Sequence, residues 1–379
     1  MKATKLFTEF FQSEKAGGFI LIFCTAVSLV WANTSFRDMY AHFWHTPFLA
    51  KPVEFWINDG LMTVFFLLVG LEIEREIYVG EFADYKKALL PILAAAGGML
   101  VPAAIHFAFN HGTAFQHGFG IPMATDIAFS LSILSLLGSR VPLWIKVFLT
   151  ALAIIDDLGA ILIIALFYSS GVTWMYMLVA LFAISIMIGL NRLKVHQIWI
   201  YLLLGAGLWY CLYQSGVHPT ITGVLLAFMI PFGDGGEQSP SYRLQHFLHK
   251  PVAFIILPVF ALANTAIQIS PDSLNMLMHA NSVGILLGLM VGKPLGILLF
   301  SLAGVAVGLC VIPEGVKKSY ILGAGMLAGI GFTMSIFISL LAFEDPEVIN
   351  ASKLTVLIAS LLSGAMGYFV LRKSLPLKG

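Results

Sequence analysis

The chain has 379 residues, of which 59% are hydrophobic and 11% charged, and its formal net charge is +1. Soluble domains carry about 25% charged residues, and a water-soluble fold of this size has too little polar surface to hide so much apolar side chain. The composition excludes a soluble globule and provides no bulk electrostatic attraction to nucleic acid.

Twelve apolar stretches follow in chain order: 17–34, 54–76, 88–108, 118–137, 143–168, 173–190, 197–213, 216–232, 250–269, 281–307, 319–343 and 351–371. Each is near the ~20 residues a helix needs to cross a bilayer. The runs are continuous, not alternating, which favours helices over a β-barrel. The polar start, Met1 to Lys15, precedes the first run. No A-x-A cleavage site follows that run, so it reads as a retained span. Cys24, Cys211 and Cys310 lie in apolar stretches without CxxC spacing, as small buried hydrophobes. The longest polar loop is 233–250, and its Gly233-Asp234-Gly235-Gly236 run reads as a turn.

Loop charges test the count. With the N-terminus in the cytoplasm and sides alternating, Arg37, Lys51 and Lys353 fall outside and Lys293 inside a span; the other 17 of the 21 basic residues, from Lys2 to Lys378, fall inside. The positive-inside rule demands such asymmetry, and one miscounted span would reverse every later loop. The sequence thus predicts an all-α polytopic membrane protein: twelve transmembrane helices with both termini cytoplasmic, in one membrane domain, 1–379.

Spans three to five begin inside and spans ten to twelve outside. If these triplets, about 88–168 and 281–371, are related, they are inverted copies. Span four contains Gly118 through Pro122 and then Thr125 and Asp126; span eleven contains Gly323, Gly325, Gly329 and Gly331 and then Thr333. Each places helix-weakening residues beside a hydroxyl at mid-span. Paired interruptions in corresponding spans point to a transporter's midplane site. Glycine as simple packing surface is the competing reading.

A charge at the bilayer centre costs about 2.5–3.5 kcal/mol on insertion scales. Four ionisable groups lie near the middle of their spans: Asp126, Asp156, Asp157 and Lys293. Adjacent helix positions point about 100° apart, so Asp156 and Asp157 can border one cavity without sharing a face. Two carboxylates in low dielectric hold protons more readily. Deprotonated, they offer hard oxygens suited to a small hard cation. Protons and a cation would compete for the same atoms. A salt-bridged packing element with Lys293 is the bland alternative, and the two are compatible. Asp126 either faces the ion path or balances backbone dipoles where broken helices meet; Lys293 could do the same at carbonyl ends. Glu72 and Arg75 are spaced to pair on one helix face, although a solvated helix end is the default. His218 reads first as a polar cap and second as a pH sensor. His246 and His249 lack the partners of a metal site.

Ala124-Thr125-Asp126-Ile127-Ala128-Phe129, Asp156-Asp157-Leu158-Gly159, Gly292-Lys293-Pro294-Leu295-Gly296 and Gly329-Ile330-Gly331-Phe332-Thr333 together resemble the bacterial NhaA family of sodium/proton antiporters. So do Trp56-Ile57-Asn58-Asp59-Gly60 and Gly70-Leu71-Glu72. The likeness runs through essentially the whole chain. The family is itself a known case of inverted-repeat transporters. The resemblance implies crossed, interrupted spans four and eleven, and no cofactor. It implies export of Na+ or Li+ from a bacterial cell across its inner membrane in exchange for two protons, regulated by pH. Asp157 would be the principal cation ligand, Asp156 would share ion and proton handling and pair with Lys293, and Thr125 would lie near the site. Asp126 and Lys293 would compensate the broken-helix dipoles. Glu72, His218, His246 and His249 match positions linked to pH response. The region from Asn33 to Pro52 would form a dimerising hairpin. One departure is Gln245, where the best-known member of the family has a glutamate of the pH-sensing cluster.

Two other classes compete. A channel or uniporter could use the same acidic site. An intramembrane hydrolase could use an aspartyl dyad, but such dyads draw one carboxylate from each of two elements, and neither H-E-x-x-H nor G-x-S-x-G occurs.

Overall fold

The computed structural model describes residues 5–83, 85–169, 171–269 and 271–376. Lys2 and Lys378, counted above among the inner charges, lie outside the described residues. Among the described residues nine helices are long and apolar enough to cross a membrane, and a tenth span is the pair Lys318–Ala328 and Phe332–Ala342, bent by 48°. Large apolar side chains face outward along them, as on Trp174–Arg192, where Trp174, Met175 and Phe182 are 73%, 74% and 67% exposed. Exposed apolar faces of this extent require lipid as their solvent.

The two remaining apolar stretches form Ile198–Ser215 and Ile221–Met229. Gly216 ends the first in a left-handed conformation, φ 86°, which a glycine adopts without a Cβ penalty. The second has nine residues, about 14 Å of helix.

The 233–250 stretch is not a loop throughout. A helix begins at Pro240, and the Ser239 side chain accepts from the Tyr242 N–H at its N-terminus. Ser before Pro is a cap followed by a first-turn residue; the polar composition of the turns beyond disguised the helix. The last helix likewise starts early, at Pro346 behind the Asp345 cap.

The chain divides into two compact units. One comprises 1–42, 84–160 and 260–379, the other 43–83 and 161–259. In the first, Tyr85–Asn110 lies along Lys293–Ala306 at backbone contact. A Cβ on Gly97 would sit 2.2 Å from the Gly296 carbonyl oxygen, and one on Gly296 would sit 2.1 Å from that of Gly97. Small residues permit this approach, which is how membrane helices gain packing energy without a hydrophobic drive between them. In the second unit, Met62–Tyr78 meets Ile221–Met229 the same way, with Gly223 against the Thr63 carbonyl. That unit also holds a two-stranded hairpin, Pro47–Phe48 with Lys51–Pro52.

Among the described residues three π-helical segments interrupt the regular helices: Trp56–Leu61, Val252–Ile256 and Gly288–Gly292. Such insertions are frequent at functional sites. The first carries Asp59 and the last delivers Lys293.

Candidate ion-binding site

The first unit contains two broken helices. In one, the 3₁₀ segment Gln116–Met123 gives way to extended residues 124–126 and then to Ile127–Ser135. In the other, Lys318–Ala328 and Phe332–Ala342 flank a break at 329–331. Each break exposes carbonyls at one helix end and N–H groups at the next, and in lipid these must find partners within the protein.

They find them in each other. The Ile330 carbonyl accepts from the Asp126 N–H at 2.6 Å, and the Leu327 carbonyl from the Ser130 hydroxyl at 2.8 Å. Reciprocally, the Ile121 carbonyl accepts from the Ser335 hydroxyl at 2.6 Å, and the Met123 carbonyl from the Lys293 ammonium. The N-terminal ends share one carboxylate. Asp126 Oδ1 accepts from the Phe129 N–H at 2.9 Å, while Oδ2 accepts from the Thr333 N–H at 3.0 Å and the Thr333 hydroxyl at 2.6 Å. A negative charge set against the first turns of two helices is favoured by both dipoles.

Asp156 and Asp157 sit on Leu143–Phe167, 1% and 3% exposed. Lys293 Nζ lies 2.8 Å from Asp156 Oδ2. The Thr125 hydroxyl lies 2.6 Å from the same oxygen and 2.9 Å from the Ala328 carbonyl. A hydroxyl has one proton to donate, so the two acceptors compete for it. Asp157 follows Asp156 on the same helix and is likewise buried. The first unit therefore gathers Thr125, Asp126, Asp156, Asp157 and Lys293. Asp156, Lys293 and Thr125 touch, whereas the Asp126 carboxylate is engaged in capping.

Glu72, His218, His246 and His249 all lie in the second unit. His249 Nδ1 is 3.5 Å from Glu72 Oε1, with both side chains buried. His218 Nε2 is 3.4 Å from Asp59 Oδ1, and its Nδ1 is 2.7 Å from the Thr220 hydroxyl. His246 is exposed and stacks on Tyr242, whose ring also carries the Arg75 guanidinium 4.8 Å from its centroid. The Tyr78 end of Met62–Tyr78 is not the solvated terminus expected by default. Glu72 and Glu74 are 8% and 4% exposed, because the helix beginning at Pro240 covers them: Ser241 reaches the Glu74 carboxylate at 3.4 Å. Gln245 is buried nearby on that helix.

Sequence reasoning missed Ser130, Ser335 and the capping role of Thr333. Their signal was a hydroxyl within one turn after each break, Ser130 four residues past Asp126 and Ser335 four past Gly331.

An all-α chain with nine to ten bilayer-length apolar helices among its described residues is a multi-pass membrane protein. Residues 8–371 match the family described as Na+/H+ antiporter 1. The chain is 58% identical over 372 residues to the Na+/H+ antiporter NhaA 1 of Flavobacterium johnsoniae, covering 98% of each chain. It is 56% identical over 375 residues to the Na+/H+ antiporter NhaA of Cytophaga hutchinsonii, covering 99% of this chain and 97% of that one. It is 54% identical over 371 residues to the Na+/H+ antiporter NhaA of Dechloromonas aromatica, covering 97% and 95%. The protein belongs to the Na+/H+ antiporter 1 family, a family of transporters.

Proposed function

We propose that this protein exports Na+ or Li+ from a bacterial cell across the inner membrane in exchange for protons, two per cation, in the service of sodium and pH homeostasis. The observation that carries this reading is the contact of Lys293 and Thr125 with Asp156, beside Asp157, inside a shell of closed helix ends. With protons bound, the carboxylates are neutral or paired. Release of protons frees hard oxygens from Asp157 and Asp156 for a small cation. A cation reaching Asp156 must compete with the Lys293 ammonium and the Thr125 hydroxyl. Loading of ion and of protons therefore exclude each other, and alternating access turns that exclusion into exchange. Two protons against one monovalent cation moves net charge, so the cycle is electrogenic. Asp126 stays a carboxylate that compensates two helix N-termini, and Lys293 answers the carbonyl end at Met123 when it leaves Asp156.

The same reading takes the chain as twelve spans with both termini cytoplasmic, spans three to five and ten to twelve as inverted repeats, and the hairpin within 33–52 as a homodimer contact. Support for the repeat is the reciprocity of Ser130 and Ser335 across the two breaks. Regulation by pH is assigned to Glu72, His218, His246 and His249; the pairs Glu72–His249 and Asp59–His218 support it.

Sodium-driven alkalinisation of everted vesicles with fixed stoichiometry is the expected outcome. Electrogenic sodium flux without proton movement would establish a channel or uniporter instead.

A further inference from the structure

A second polar cluster lies in the first unit, toward the Asn110 end of Tyr85–Asn110, and the exchange cycle above does not use it. His106 and Asn110 are i, i+4 on one face of that helix, and both are 0% exposed. The ring of His106 is packed between Gly284 and Gly118: a Cβ at Gly118 would lie 3.1 Å from both Cε1 and Nε2.

A chain of hydrogen bonds fixes the state of this ring. The Ser352 hydroxyl donates to the Val348 carbonyl at 2.7 Å. Its oxygen is thereby the acceptor for Asn281 Nδ2, at 2.8 Å. Asn281 Oδ1 then faces His106 Nε2 at 3.0 Å, and an amide oxygen only accepts. His106 must carry its proton on Nε2. Its Nδ1 is then a lone pair, buried and without a hydrogen-bond partner among the described residues. Asn110 repeats the pattern. Its Nδ2 donates to the His106 and Ala280 carbonyls at 2.9 and 3.2 Å, and Oδ1 is buried with no partner among the described residues. The two unmet groups are both acceptors.

We propose that His106 Nδ1 and Asn110 Oδ1 form a second site that binds a water molecule through its two hydrogens, and that His106 holds a proton delivered through that water. Buried unsatisfied acceptors are where internal water resides. In the transfer, a hydronium ion at the site gives one proton to Nδ1, leaving water and an imidazolium; the reverse step returns it. The Nε2 side ends at the Val348 carbonyl, which passes no proton on. His106 is thus a store at the side of the path and not a wire through it.

The store is coupled to the ion site by the 3₁₀ segment Gln116–Met123. Gly118, against the ring, precedes Met123 by five residues, about 10 Å at ~2 Å per residue, and Met123 supplies the carbonyl that Lys293 contacts. Among the described residues no carboxylate pairs with this ring. The titratable groups on the surrounding elements, His111, His117, His279, Asp345 and Glu347, are exposed, and Lys353 is half-buried. Charging His106 therefore favours a hydrated, loosened cluster and shifts the segment that ends at Met123.

The test has two arms. Nitrogen NMR of ring-labelled full-length protein, with the His106 signals assigned by loss in His106→Gln or His106→Asn, is expected to show Nε2 protonated and Nδ1 bare but hydrogen-bonded. Asn110→Leu should move the Nδ1 signal. A proton on Nδ1, or an Nδ1 signal indifferent to Asn110→Leu, overturns the site. In everted vesicles, His106→Gln is expected to remove one titrating step from the pH profile of exchange while sodium affinity stays as in the parent. A profile unchanged in both His106 variants overturns the coupling. The second arm rests on the exchange function proposed above, and the first does not. A parent that exchanges no sodium for protons but shows the bare, hydrogen-bonded Nδ1 would sink the exchange reading and support the site.

Discussion

Lys293 and Asp156 form a closed pair, Nζ to Oδ2 at 2.8 Å, with both side chains fully withdrawn from the surroundings. Charges taken out of water are tolerated only when matched, and removing one partner of such a pair costs about 3–5 kcal/mol because the other is left uncompensated. The pair is therefore a structural tie and, on the proposed function, the point at which an incoming cation would intervene.

Asp156→Asn is accordingly expected to lose about 3–5 kcal/mol of stability, read as a lowered melting temperature of the purified protein, and to exchange poorly. Changing Lys293 to Gln in the same chain should recover most of that stability. A single mutant that melts with the parent would show that the pairing is not what holds this region.

Asp157→Asn is expected to abolish sodium–proton exchange while leaving the Lys293–Asp156 contact in place. Isothermal titration with sodium across a pH series should lose its heat in this variant. Normal exchange by Asp157→Asn would end the assignment of the cation to this carboxylate.

Asp126→Asn keeps the shape but not the acceptors. Oδ2 accepts twice from Thr333, and an amide nitrogen in its place would present donors to donors. The change is expected to cost about 1–3 kcal/mol, the penalty for buried groups left unsatisfied. Thr333→Val should cost less, since it removes only one donor. Thermal melts of the two variants give the order, and a reversed order would contradict the shared cap.

Gly296→Ala is expected to destabilise by about 1–3 kcal/mol and to weaken sodium binding. The added methyl would sit 2.1 Å from the Gly97 carbonyl oxygen, so Lys293–Ala306 must retreat from Tyr85–Asn110 and carry Lys293 with it. Parent-like melting and binding would show that the backbone contact does not position the lysine.

Much of this was legible in the residues. Asp156, Asp157, Asp126 and Lys293 stand out because a charge within a 20-residue apolar run is costly enough to require a reason. The two breaks were legible from Gly, Pro and hydroxyl residues at mid-span. The helix at Pro240 was not, because Tyr242 to Lys250 is polar in composition; hydropathy reports contact with lipid and not helicity. The burial of Glu72 and Glu74 was hidden for the same reason, since it depends on that helix lying over them. The partners of the orphan carbonyls were hidden too: nothing local pairs Ser130 with Leu327 or Ser335 with Ile121, separated by 197 and 214 residues.

Hydropathy and the intramembrane charges were enough to establish an all-α membrane chain with a buried acidic site, because the bilayer penalises every polar group one residue at a time. The division of roles needed the folded chain. Asp126 and Asp156 are equivalent as buried aspartates in a sequence; one became a cap and the other the lysine's partner because of which helix ends were brought beside each. The sorting of the ion-site candidates into one unit and the pH-response candidates into the other has the same origin. A carboxylate's function here follows from its neighbours, and those neighbours arrive from distant parts of the chain.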